Sequence, residues 1–182
     1  MGQSNISMKE NILIRPYQPA DPIPEITALL HRAYAGMAAQ GMRYLASHQD
    51  DKTTEKRLTI GASFLAVKEN AIVGTITLYG PYQEAEAPLY RQEGVSHFGQ
   101  YAVDPDLQGS GLGKRLYQTV EDHCRKNNVK TLALDTAGTA KHLIDIYQRW
   151  GFKVVDHVQW DCTNYRSVIM AKDLTAPSFP LP

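Results

Sequence analysis

Cysteine is scarce, net charge is absent and no long apolar run occurs in this 182-residue chain. Its two cysteines, Cys124 and Cys162, form no Cys-x-x-Cys or Cys/His spacing, which excludes a disulfide-stapled scaffold and a structural zinc site. They read as reduced thiols of a cytoplasmic protein. Nineteen basic and nineteen acidic side chains cancel, leaving no electrostatic footprint for nucleic acid or an anionic membrane. No stretch has the length and apolarity of a membrane span, and no basic-then-apolar leader pattern opens the chain. Met1-Gly2 begins like a myristoylation site, but Ile6 stands where Ser or Thr belongs, so lipidation is not expected. The expected partner is therefore small.

A chain of this length buries a core without disulfides or metal, and one domain is expected over residues 11–174, with loose ends at 1–10 and 175–182. Ile12, Ile14 and Tyr17 suggest a first strand. Asp21-Pro22 reads as an N-cap and first helical position ahead of Ile26, Leu29, Leu30, Ala33 and Met37 at helical spacing. Residues 40–60 are polar and weakly periodic. Phe64 to Lys68 and Ala71 to Tyr79 read as a hairpin turning at Glu69-Asn70, and Gly80 to Gly94 as a long loop. A strand from His97 to Val103, a helix from Leu112 to Lys126 and a short strand from Lys130 to Asp135 follow. A helix from Ala140 to Trp150 leads to a last strand pair at Val154 to Trp160 and Arg166 to Lys172. Strand clusters alternating with helices imply a mixed α/β sheet with helices on both faces.

Between the 97–103 strand and the 112–126 helix lies Gln108-Gly109-Ser110-Gly111-Leu112-Gly113. A glycine-rich turn opening a helix directs unpaired N–H groups, at the positive end of the helix dipole, toward an anion. It is not a P-loop: Gln108 occupies the first glycine position and Arg115 follows Lys114. It is not a dinucleotide fingerprint either, since Lys114 stands where the third glycine belongs and no βαβ unit opens the chain.

Gln-x-x-Gly-x-Gly directly after Val103-Asp104-Pro105 resembles the pyrophosphate-binding motif of the GCN5-related N-acetyltransferases (GNAT). Tyr147-Gln148-Arg149-Trp150-Gly151-Phe152 resembles that family's later Tyr and Gly-Phe landmark. The resemblance implies a mainly antiparallel mixed sheet whose fourth and fifth strands splay apart, with a second helix over the substrate cleft within residues 40–60. It implies acetyl-CoA as cofactor, CoA as product, and direct attack by a primary amine of a small molecule or peptide in a ternary complex. Homodimers are common in the family. A non-catalytic acyl-CoA sensor of the same fold is the alternative.

Carried onto this chain, the resemblance assigns cofactor binding to Gln108, Gly109, Ser110, Gly111, Leu112, Gly113 and Lys114, with Arg115 as a further charge. The N–H of Tyr101 would polarise the acetyl oxygen, and main-chain atoms of Val103 would hold the pantetheine amide. Tyr147 is the donor to the departing thiolate, a phenol that stays protonated at neutral pH; packing on its helix is the competing role. His97 falls where histone acetyltransferases have a glutamate base and arylalkylamine acetyltransferases a histidine. Glu93, Tyr101, His142, His157 and a water are rival bases. The Asn that many members place at the start of the last helix is Ala140 here, with Thr136 or Thr139 as substitutes. Glu84, Glu86 and Glu93 in the long loop, with Tyr79, Tyr82 and Tyr90, would suit a cationic or aromatic amine.

Overall fold

A computed structural model describes residues 11–175. In chain order the elements are β1 (Leu13–Pro16), α1 (Ile23–Ala39), α2 (Asp51–Thr59), β2 (Ala62–Lys68), β3 (Ala71–Tyr79) and β4 (Val95–Val103). They continue with α3 (Leu112–Lys126), β5 (Thr131–Ala137), α4 (Lys141–Arg149), β6 (Lys153–Val158) and β7 (Ser167–Asp173). The strands form one seven-stranded sheet in the order β1-β2-β3-β4-β5-β7-β6. Neighbours are antiparallel except for β4 and β5. The mixed, mainly antiparallel architecture is the one expected; the expected loose ends lie outside the described residues, apart from Thr175.

Local chemistry accounts for most boundaries. Glu69 and Asn70 both take positive φ, 48° and 70°, the left-handed pair that a two-residue hairpin requires. Helix α2 starts at Asp50, whose side chain accepts the Thr53 N–H at 2.8 Å. The polar 40–60 stretch is thus a short 3₁₀ turn, Leu45–Ser47, followed by α2. Helix α1 departs from expectation. Its N-cap position is Pro22, and Asp21 is drawn instead to the Arg15 guanidinium at 2.6 and 2.9 Å and to the Gln18 N–H. A charged fork outcompetes a cap here because two charge-assisted bonds replace one neutral donor. The long loop contains a 3₁₀ turn, Pro88–Arg91, that buries Tyr90.

Three core clusters pack on the sheet, the third gathering Tyr90, Val95, Ala133 and Ile169. On one face Leu112, Leu116, Val120 and Cys124, four apart along α3, pack with Phe98, Tyr147 and Phe152. On the other, Ile26, Leu29 and Leu30 of α1 pack with Leu58, Leu65 and Ala102. Glu121 on α3 is held by Lys172 of β7 at 2.7 Å and by Arg125 at 2.8 Å, with Tyr117 donating to the same carboxylate. That network fastens α3 to the far end of the sheet.

Candidate active site

Parallel pairing of β4 and β5 covers Val95–Thr131, Ser96–Leu132 and His97–Ala133 and then stops. Beyond that point the strands diverge, and a cavity of about 280 Å³ opens between them. A second irregularity faces β3, where Thr75 pairs with Ala102 and Thr77 with Gly99, so Gln100 and Tyr101 together oppose Ile76. This is a β-bulge, and Gln100 carries its strain at φ 45°. The extra residue shifts the alternation of the strand. Phe98 packs on the α3 face, Gly99 and Gln100 both turn toward α1 and α2, and Tyr101 returns to the Phe98 side. Tyr101 thereby stands outside the strand register on both sides, and its carbonyl accepts the Tyr34 hydroxyl of α1 at 3.0 Å.

The glycine-rich loop begins where β4 ends. Gly109 and Gly111 have φ of 80° and 86° with open space where a Cβ would lie, so their glycines serve backbone conformation. Gly113 serves proximity: a Cβ there would come 2.8 Å from Tyr101 Oη and 3.6 Å from Val103. Ser110 Oγ donates to Leu107 O at 2.6 Å and accepts the Leu112 N–H at 3.3 Å, while the Leu112 side chain is buried. The first helical bond runs from Arg115 N–H to Gly111 O at 3.1 Å, and the Gly113 N–H ahead of it has no intrahelical acceptor. Gln108 is extended at the loop entrance, and Lys114 lies in the first turn of α3. Arg115 turns away to the Ile12 carbonyl at 2.9 Å. A side-chain-free cradle at a helix start, touching the bulge through Tyr101, fits a pyrophosphate whose acyl arm enters the strand opening.

Tyr147 lines the cavity from α4, its ring edge-on to Phe98, Trp150 and Phe152. Burial, with Tyr101 adding to it, pushes its phenol well above the ordinary value, so it stays protonated. Ala140 begins α4 without a side-chain cap. Of its two substitutes, Thr136 lines the cavity bonded to Tyr44 Oη at 3.2 Å, and Thr139 points to Met42 Sδ at 3.5 Å.

His97 also lines the cavity, with Tyr90 stacked flat on its ring at 3.9 Å. Its Nδ1 is buried without a hydrogen-bond partner. Burial, and secondarily the Arg57 charge, push its pKa down to about 3, so the ring is neutral throughout the physiological range. Glu93, His142 and His157 are exposed and line none of this cavity. The loop glutamates Glu84 and Glu86 are likewise exposed outside it, although Tyr79, Tyr82 and Tyr90 do line it.

Several cavity residues were not legible from the sequence. The carboxylate among those lining it is Asp135 of β5, which accepts Trp160 Nε1 at 2.8 Å and the Tyr90 hydroxyl at 3.4 Å. Enclosure raises its pKa above the ordinary value, against the pull of those donors and of Arg57. An aspartate directly after the apolar run Leu132-Ala133-Leu134, on the same strand, was the available signal. The permanent cation is Arg57 of α2, a residue indistinguishable in sequence from its exposed charged neighbours. Cys162, an exposed residue, lines the cavity as well, and partial desolvation pushes its thiol up, which favours the neutral form.

A profile described as the acetyltransferase (GNAT) family matches residues 23–152. The chain is 30% identical over 147 residues to S-(2-succino)cysteine N-acetyltransferase of Bacillus subtilis (strain 168), covering 80% of this chain and 85% of that protein. It is 26% identical over 134 residues to S-alkylcysteine N-acetyltransferase of the same organism, covering 71% and 72%. Among solved structures, a GNAT family acetyltransferase from Elizabethkingia anophelis with acetyl-CoA bound superposes with a TM-score of 0.62 at 20% identity. That match covers 91% of this chain and 99% of the other and shows a shared fold.

Proposed function

This chain belongs to the GNAT family and is an acetyl-CoA-dependent N-acetyltransferase, and we propose that its acceptor is the α-amine of a small S-substituted cysteine, attacked directly in a ternary complex. The observation that carries the reading is the cavity at the β4–β5 opening, into which Tyr101, Tyr147, His97 and Asp135 all converge. Its volume of about 280 Å³ suits a small acceptor. The two curated relatives are named for cysteine derivatives, which supports the same choice.

Bound acetyl-CoA supplies the activated acyl group. The Gln108 to Lys114 loop would hold its phosphates, and the Tyr101 N–H at the bulge, which lies outside the regular β3 pairing, would meet the acyl oxygen. Tyr147 holds a proton on its hydroxyl for the leaving sulfur. Asp135 is placed to face the acceptor's ammonium and to take its proton, because enclosure has made it more basic than an ordinary carboxylate. His97, neutral with an unpartnered Nδ1, orients the amine by hydrogen bonding rather than by titrating. The neutral thiol of Cys162 is poorly suited to a covalent relay. Two cysteines without a disulfide accord with a cytoplasmic enzyme; among the described residues, no helix is long and apolar enough to cross a membrane.

Thiol release from acetyl-CoA tests the assignment, with S-methyl-L-cysteine, S-(2-succino)cysteine, a peptide and an arylalkylamine as acceptors. The reading expects the cysteine derivatives to be preferred; preference for the peptide or the arylalkylamine overturns it.

A further inference from the structure

Arg57 is the one permanently charged cation among the described residues lining the cavity, and its position there is fixed by its neighbours. Its Nη1 donates to Gln49 Oε1 at 2.6 Å. Gln49, itself 3% exposed, donates in turn to Gln100 Oε1 at 2.6 Å and to Thr54 Oγ1 at 2.7 Å. The other guanidinium nitrogen, Nη2, lies over Gly99: a Cβ there would come 3.2 Å from it and 3.3 Å from the Tyr79 ring. A glycine at this strand position is what lets the guanidinium and the phenol approach the backbone together.

Beside this fixed cation are two polar groups that the fold leaves unsatisfied. Tyr79 Oη and Gln100 Nε2 are both buried without a hydrogen-bond partner, and both residues line the cavity. An orphaned buried donor is costly to leave unmade, so two of them beside a guanidinium mark a place where a ligand completes the bonding. All three groups are donors, and their complement is an anion with several acceptor lone pairs. Asp135 in the same cavity disfavours a dianion such as phosphate, whereas a carboxylate carried by the same small molecule as an ammonium balances both charges. A plain amine entering as a cation meets Arg57 with nothing to neutralise it.

We propose that Arg57, Tyr79 and Gln100, braced by Gln49, form a carboxylate subsite that selects α-amino acid acceptors over amines lacking the carboxylate. The inference rests on the acetyltransferase reading of this cavity and adds to it the group that reads the acceptor's acid end. The carboxylate at Arg57 and the ammonium toward Asp135 orient the molecule so that its amine faces the strand opening.

The test compares S-methyl-L-cysteine with S-methyl-L-cysteinamide, which differ only in carboxylate against carboxamide, in the wild type and in Arg57→Gln. The ratio of kcat/KM for acid over amide should fall about 10- to 100-fold in the variant, the value of a hydrogen-bonded charge. The change should appear in KM for the acid, with KM for acetyl-CoA held. Taking the ratio within each protein cancels the amide's lower amine basicity and any general loss of folded enzyme. Tyr79→Phe removes a hydroxyl that lies near Arg57 and Thr77 but makes no hydrogen bond of good geometry to either, and should lower the same ratio about 3- to 10-fold with little change in melting temperature. A ratio that Arg57→Gln leaves unaltered overturns the subsite. A wild type that acetylates the amide and other plain amines but not the acid overturns it too, while leaving the acetyltransferase reading intact. If no amine supports thiol release, that reading fails, and calorimetric titration of S-methyl-L-cysteine into wild type and Arg57→Gln, each with CoA, decides the subsite separately. Equal binding or no binding in both proteins refutes it.

Discussion

Tyr90 lies flat on the His97 imidazole, ring centres 3.9 Å apart and planes within 6°, while its hydroxyl reaches Asp135. One side chain thus covers the histidine on β4 and bonds the carboxylate on β5, across the opening between those strands. The stacking is part of what desolvates His97, and desolvation is the first cause of its depressed pKa.

The pH dependence follows from that pairing. With the imidazole pKa pushed down to about 3, His97 does not titrate near neutrality, so a low-pH limb of kcat/KM there belongs to the acceptor amine or to Asp135. His97→Gln is expected to lower the rate while leaving the limb in place; loss of a limb near pH 6.5 in that variant would restore His97 as the titrating base. Stability carries the same signature. Below the ordinary value of 6.5 the unfolded chain takes up a proton on His97 that the folded chain refuses until about pH 3, so this group makes stability decline as pH falls through that window. Melting curves should show a shallower decline for His97→Gln.

The loop glycines separate into two roles. Gly113→Ala places a Cβ against the Tyr101 hydroxyl and should weaken acetyl-CoA binding by displacing the bulge side chain. Gly111→Ala meets open space but a φ of 86°, so its cost should appear mainly as about 1 kcal/mol or more of stability. Calorimetric titration with CoA, alongside melting temperatures, distinguishes them; equal CoA affinity for Gly113→Ala and wild type would remove the packing argument.

Tyr147→Phe should reduce kcat about 100-fold if proton delivery limits turnover, with CoA affinity little changed, since only a hydroxyl is lost. Cys162→Ser should keep turnover and show no acetylated protein by mass spectrometry after incubation with acetyl-CoA alone. Stoichiometric acetyl-enzyme in the wild type, lost in Cys162→Ser, would replace direct attack with a covalent relay.

Elements with strong local signals were legible in the sequence. The four-residue spacing of Leu112, Leu116, Val120 and Cys124 marks α3, and Glu69-Asn70 marks the hairpin, because helix periodicity and turn chemistry are local. The strand divergence and the bulge at Gln100 were not legible from periodicity, since both depend on pairing between distant segments; the family resemblance supplied the divergence. Asp21 misled because its competing partner, Arg15, lies in the preceding strand. Arg57 and Asp135 were missed for the same reason: a charge on a polar helix and one in an apolar strand become a pair only when the sheet brings them to one cavity.

The most direct measurement is simultaneous quantification of CoA thiol and N-acetylated product with S-methyl-L-cysteine as acceptor. The account predicts that the two form in equal amounts, with initial-rate patterns that intersect as a ternary complex requires. Thiol release without N-acetyl-S-methylcysteine, or parallel initial-rate lines, would contradict it.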